Sequence, residues 1–170
     1  MKWIGAILLL LATTQIGFDI AKRLNDRPKQ IRQLKNALQV LEAEIVYGQS
    51  PIHDVFYRLS KQIPEPLSSF FRTLNEKLLS SQSTLYDVWN PALDHFWKKS
   101  AMKKTEKEIM DQFGKTLGQH DFHQQQKHIQ LALSHLDRVL EQAEEEKYKY
   151  GRMAKSLGVL TGLFLILLLI

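Results

Sequence analysis

Residues Met153–Ile170 read MAKSLGVLTGLFLILLLI. No polar residue follows Thr161, and the one charge, Lys155, stands at the inner end, where a long side chain can snorkel. A run this apolar cannot sit in water, and a small core has no means of covering it. The expectation is a C-terminal transmembrane helix over residues 153–170, and so a domain tethered to a membrane. The span is short. Leu157–Ile170 rises only about 21 Å as a helix, so Met153–Ser156 or local bilayer thinning has to complete the crossing.

The other end of the chain repeats the pattern. WIGAILLLLATTQIGF runs from Trp3 to Phe18 behind Lys2. Residues 2–20 would rise about 28 Å, close to a hydrocarbon core. A secretory signal peptide also begins this way. Here Ala12-Thr13-Thr14 makes a poor cleavage site and the next stretch is basic and helical, so an uncleaved anchor over residues 1–24 is expected. Charge gives the orientation. Lys22, Arg23, Arg27, Lys29, Arg32 and Lys35 follow the first run, opposed only by Asp19 and Asp26; Lys147, Lys149, Arg152 and Lys155 precede or open the second. Both asymmetries put the middle of the chain in the cytoplasm and both termini outside.

The residues between, 25–152, pattern as helices throughout. Glycine (8) and proline (5) are sparse, there is no cysteine, and the formal net charge is +5. The missing cysteine excludes a disulfide framework, a thiolate nucleophile and a cysteine zinc site. Asn25–Pro28 reads as a break and restart. Ile31, Leu34, Leu38, Leu41 and Ile45 then form one stripe at spacings of three and four, ending at Tyr47-Gly48 with Gly48 in the C′ role. Ser50-Pro51 looks like an N-cap with proline at N1, opening a stripe of Ile52, Val55, Phe56, Leu59 and Ile63. Pro64 and Pro66 end it. Leu67, Phe70, Phe71, Leu74 and Leu78 follow, then a loop at residues 80–83. Thr84 with Asp87 is a capping-box pattern for Leu85, Val88, Trp89, Leu93, Phe96 and Trp97, with Pro91 predicting a kink or a restart at Asn90.

These helices contain a repeat. GQSPIHDVF (48–56) and SQSTLYDVW (81–89) share four of nine residues at an offset of 33, and Leu34, Leu38, Leu41 and Ile45 fall on Leu67, Phe71, Leu74 and Leu78. The content is a duplicated helical hairpin, residues 31–63 and 64–97. The period also suits tetratricopeptide repeats, whose signature residues are missing.

KKSAMKKTEK, residues 98–107, reads as a basic hinge, with Thr105 and Glu108 as a second capping-box pattern. Ile109, Met110, Phe113 and Leu117 make a short fifth stripe stopped by Gly118. Asp121 caps a sixth: Phe122, Ile129, Leu133, Leu136, Leu140 and Ala143. Nothing strong interrupts the chain from there to Ile170, so the last helix is expected to continue into the apolar run; Gly151 weakens it by about 1 kcal/mol relative to alanine.

Catalytic patterns are weak. Gly114-Lys115-Thr116 imitates the end of a phosphate loop, but its first glycine would be Ile109, on a helical stripe with no strand before it. His120, Asp121 and His123 could offer metal ligands, yet two histidines in a loop lack a closed ligand set, and exposed polar histidines explain them. No other enzyme signature appears, so neither a cofactor nor an enzyme is expected. Interaction features remain. Ala154, Gly158 and Gly162 recur every four residues, a spacing that lets another helix approach closely, although glycine is frequent in membrane helices anyway. Lys98, Lys99, Lys103, Lys104 and Lys107 are either a solvated loop or a surface for an acidic partner or anionic headgroups. Nucleic acid is disfavoured by the mixed charge and the absence of a binding module.

Five stretches carry a resemblance: RPKQIRQL (27–34), LEAEI (41–45) with Tyr47-Gly48, FGKTLG (113–118) with His120-Asp121, QQKHIQLALSHL (125–136), and SLG (156–158) with the Leu/Ile tail. On these the chain resembles the stage III sporulation protein AB family of endospore-forming bacteria over essentially its whole length. That family is in turn similar to the cytoplasmic domain of type II secretion F proteins, the inner-membrane platform. The resemblance implies an all-α antiparallel six-helix bundle, type II secretion F-like, flanked by N- and C-terminal transmembrane helices. Gly48, Ser50 and Pro51 match the family's Gly-x-Ser/Pro turn, and Gly114 and Gly118 its glycine-spaced turn. Secretion F proteins carry two such domains; this chain carries one, with apolar runs at both ends. The implied role is that of a platform subunit in the mother cell–forespore channel, on the mother-cell side of the outer forespore membrane. Its implied partners are a secretion-type ATPase, other stage III channel proteins and membrane lipid, with a homo-oligomer possible. The reading from a different class is a membrane-tethered adaptor or sensor that binds other proteins through the hairpin repeat.

Overall fold

The computed structural model describes residues 2–48, 50–80, 84–118 and 122–169. They form six α-helices and no strand: α1 Lys2–Ala43, α2 Ile52–Gln62, α3 Leu67–Ser80, α4 Leu85–Lys99, α5 Lys104–Thr116 and α6 Phe122–Leu169. A π-helical turn, Glu44–Gly48, extends α1. The chain divides into two compact units, Met1–Pro28 with Glu141–Ile170, and Lys29–Leu140. α1 and α6 contribute residues to both.

The Lys29–Leu140 unit is built by the stripes. α2 packs on α3, α3 on α4 and α4 on α5. Ile31, Leu34, Leu38 and Leu41 of α1 are buried, as are Val55, Phe56 and Leu59 of α2 and Leu67, Phe70, Phe71 and Leu74 of α3. Aromatic rings fill the centre. Phe70 meets Trp89 edge-on at 5.1 Å between centroids, and Trp89 meets Phe113 at 5.6 Å. Such pairs add about 0.5–1.5 kcal/mol each beyond their buried area. The Trp89 indole N–H would be costly to bury unpaired; it donates to the Met110 carbonyl at 3.0 Å. Within this unit α6 buries Gln125, Ile129, Ala132, Leu136 and Val139, so the face turns slightly from the Leu133–Leu140 line.

Several boundaries depart from expectation. Asn25–Pro28 is not a break: Pro28 lies inside continuous α1. Proline forfeits one backbone hydrogen bond, to the carbonyl of Leu24, and the rest of a 42-residue helix carries the ladder of hydrogen bonds past it. Pro91 likewise sits inside α4, with no restart at Asn90. Gly48 is in the π-turn and not in a left-handed C′ position; its φ is not positive. The N-cap of α2 is Pro51, and the Ser50 hydroxyl donates to the Gly48 carbonyl at 3.4 Å without capping the helix. α5 starts earlier than the Thr105–Glu108 pattern predicts: the Lys103 N–H donates to the Glu106 carboxylate at 2.9 Å, which is where the helix begins. The Thr84–Asp87 box is present in full, with Thr84 N–H donating to Asp87 at 3.1 Å and Asp87 N–H to the Thr84 hydroxyl at 3.3 Å. α6 runs without a break from Phe122 to Leu169, as expected; the Asp121 cap and residues 81–83 lie outside the described residues.

In the other unit α1 and α6 pair antiparallel. A β-carbon on Gly17 would stand 2.8 Å from the Ala154 carbonyl oxygen and 3.0 Å from the Gly158 α-carbon. About three turns along each helix from this contact, Arg27 donates to Glu146 at 2.8 Å, with its side chain only 5% exposed. Among the described residues no helix is long and apolar enough to cross a membrane. Several side chains of both apolar runs fall outside the described set.

Candidate functional site

Three places carry the residues singled out from the sequence. The first is the α4–α5 junction. α4 ends at Lys99 with Ser100 as C-cap, so Lys98 and Lys99 stand in the last turn, where the helix dipole favours cations. The junction is pinned, since the Ala101 N–H donates to the Gln30 side chain at 2.7 Å and Met102 is buried. Lys107 meets Asp94 at 2.6 Å, and Lys104 meets Glu108 at 3.4 Å across one turn. Lys98, Lys99, Lys103 and Lys104 are exposed. The result is a fixed cationic knob beside the start of the α1 portion of this unit. Glu106, wholly buried below it, has no counterpart in the sequence reading. Its signal was available in the Lys103–Glu106 spacing, but the Thr105–Glu108 pattern competed with it.

The second is the motif turns. Gly114 lies under Trp89. A β-carbon there would overlap the indole, with Cγ at 2.8 Å and two ring atoms closer still. Gly118 has φ +80°, the left-handed region that favours glycine, and its N–H donates to the buried Gln125 side chain at 3.1 Å. Lys115 is tied to Asp111 at 2.7 Å, which raises its pKa through that hydrogen bond and charge. The Thr116 hydroxyl donates to the Phe113 carbonyl at 2.8 Å. Gly114-Lys115-Thr116 is therefore a helix end with its polar groups spent locally, not a phosphate cradle. Near Gly48, Glu44 takes the Arg58 guanidinium at 2.9 Å, which ties the π-turn to α2.

The third is the α1–α6 pair. Gly158 faces Gly17, Ala154 offers its carbonyl to the same contact, and Gly162 is buried. Gly17 leaves no signal in the sequence, because one glycine in an apolar run has no pattern. Among the described residues no group of acidic, histidine or cysteine side chains could hold a metal ion. His120 and Asp121 lie outside the described residues, and His123 is exposed on α6.

A family model described as stage III sporulation protein AB matches residues 2–170. Stage III sporulation protein AB of Bacillus subtilis (strain 168) is 45% identical over 169 residues, covering 99% of both chains. A solved structure of a stage III sporulation protein AB superposes with a TM-score of 0.70 at 42% identity, over 73% of this chain and 98% of that one.

Proposed function

The chain belongs to the stage III sporulation protein AB family, and from that premise we propose that it is a non-enzymatic membrane platform subunit of the mother cell–forespore channel. In this role it couples a secretion-type cytoplasmic ATPase to the membrane components. The observation that carries the membrane part is the outward face of the α1–α6 pair. Leu8, Leu11, Phe164 and Leu167 are 62%, 59%, 64% and 80% exposed. Apolar side chains gathered in this way need cover, and a bilayer supplies it. The two runs act as N- and C-terminal spans, with the charge asymmetry holding the central helices in the mother-cell cytoplasm.

The cationic knob of Lys98, Lys99, Lys103 and Lys104 is the proposed ATPase contact, because it is exposed yet fixed by Gln30. The test is co-purification of the full chain with a secretion-type ATPase from the same organism. Reversing these four lysines to glutamate is expected to weaken recovery by at least tenfold. Unchanged recovery removes the knob from the reading. Recovery of cytosolic signalling proteins and no ATPase replaces the platform with a tethered adaptor.

A further inference from the structure

We propose that the α1–α6 pair holds one acyl chain of an anionic phospholipid in an open apolar groove, with the headgroup on a band of basic residues at one end. The inference rests on the membrane reading above. The groove has a volume of about 410 Å³ and runs from Thr13 to Leu24 on α1 and from Thr161 back to Tyr150 on α6. The eleven helical rises between Thr13 and Leu24 cover about 16 Å, which is about one leaflet of a hydrocarbon core. Its floor is the Gly17–Gly158 contact, where the backbones already touch. Its walls are Ile16 and Ile20 on one side and Met153 and Leu157 on the other, all 48–60% exposed.

The wall residues decide between occupants. Another helix packs closely where small residues let backbones approach. Here the small residues are consumed within the chain, and branched or flexible side chains stand proud of them. A helix would ride on those side chains, whereas an acyl chain bends to follow them.

Charge marks the end. Lys22, Arg23, Lys149 and Arg152 lie within a turn of Leu24 and Tyr150. Arg23 follows Ile20 by three residues and Ile16 by seven; Lys149 precedes Met153 by four and Leu157 by eight. Both therefore rise from the groove walls. The acidic residues Asp26 and Glu144–Glu146 begin about a turn further out, Asp19 lies a turn further in, and Glu146 is already paired with Arg27 at 2.8 Å. Lys149 keeps only an exposed 3.7 Å contact with Glu145, which a headgroup phosphate outcompetes. Tyr150, half exposed at the same level, suits the bilayer interface.

The full chain in mild detergent, given phosphatidylglycerol and phosphatidylcholine of identical tails, is read by native mass spectrometry. One phosphatidylglycerol per chain is expected to remain in preference to phosphatidylcholine. Ile20→Trp with Leu157→Trp fills the groove from exposed positions and is expected to abolish retention with unchanged helical circular dichroism. Arg23→Gln with Lys149→Gln is expected to weaken it about thirtyfold. Equal retention of the two lipids, retention in the filled variant, or displacement of the lipid by a second copy of the chain overturns the proposal. Vesicle flotation separates the premises. A chain that floats but retains no phosphatidylglycerol sinks this inference alone, whereas a chain that floats with neither lipid sinks the membrane reading and this inference with it.

Discussion

Gly114 makes a sharp case of a residue chosen for what it leaves out. Its missing side chain seats the Trp89 indole, whose N–H then reaches the Met110 carbonyl one turn back on the same helix. Alanine there gains helix propensity of about 1 kcal/mol but overpacks the ring, and overpacking typically costs about 1–3 kcal/mol. The indole is fully buried among Phe56, Phe70 and Phe113 and has nowhere to retreat. Gly114→Ala is expected to lower unfolding stability by about 1–2 kcal/mol and to shift tryptophan emission, both measured by urea titration in detergent. Wild-type stability with unshifted emission would show that the helices move apart freely. Glu65 supplies the pH-dependent counterpart. Hydrogen bonds from Ser69 and Ser68, with the Arg72 charge at 2.8 Å, hold its carboxyl below the ordinary value of 4.5. The unfolded state thus takes up its proton first as pH falls. The stabilisation is complete above about pH 5.5 and disappears as pH drops through the folded-state pKa. Glu65→Gln is expected to be less stable than wild type at pH 7 and to lose less between pH 7 and pH 3; parallel pH profiles of the two proteins contradict this.

At the scale of helices the two candidate capping boxes separate pattern from use. Thr84 and Asp87 exchange both bonds, but Thr105 stands exposed inside α5, whose first turn is closed by Glu106. Thr84→Ala is expected to cost about 0.5–2 kcal/mol and Thr105→Ala under about 0.5 kcal/mol, read from thermal unfolding of the two variants. Equal losses would contradict the assignment. The same contrast explains what was legible in the sequence. Stripes were legible because burial follows helical period: Ile31, Leu34, Leu38 and Leu41 are all at or below 1% exposure. Helix ends were less so, because a cap is a competition among nearby acceptors that spacing alone does not rank. Pro28 misled for a related reason, since a lost bond is visible in sequence and the packing that outweighs it is not. Arg27 is buried against Glu146, 119 residues away, and Glu42 accepts from Gln126 and Gln130 at 3.2 and 3.1 Å. Pairs this distant in sequence leave no local trace. The Gly48 turn was recognisable as a motif, while its π-helical geometry and the Arg58–Glu44 tie were not.

For the molecule as a whole the proposed membrane arrangement turns on which side of a bilayer each part occupies, and composition makes it tractable. The chain has no cysteine, so any thiol introduced is the only one. Lys22, Arg23, Lys29 and Arg32 follow the first apolar run, and Lys147, Lys149 and Arg152 precede the second. Each positive residue resists translocation, and two runs with the same bias reinforce one arrangement. Ser80→Cys, at the exposed end of α3, is then expected to resist a membrane-impermeant maleimide in intact cells and to react after permeabilisation. Lys2→Cys is expected to react in intact cells at full chain mass. Labelling of Ser80→Cys without permeabilisation would invert the orientation and move the lysine knob away from any cytoplasmic ATPase. Loss of the Lys2→Cys thiol together with a drop in mass would mean that the first run is removed as a signal peptide. The Gly17–Gly158 contact would then be broken in the mature protein, and α6 would have to find another helix for the face that Gly158 presents. The two labelling sites thus distinguish a domain held at two points from one held at its C-terminal run alone, and only the first is compatible with a groove shared by α1 and α6.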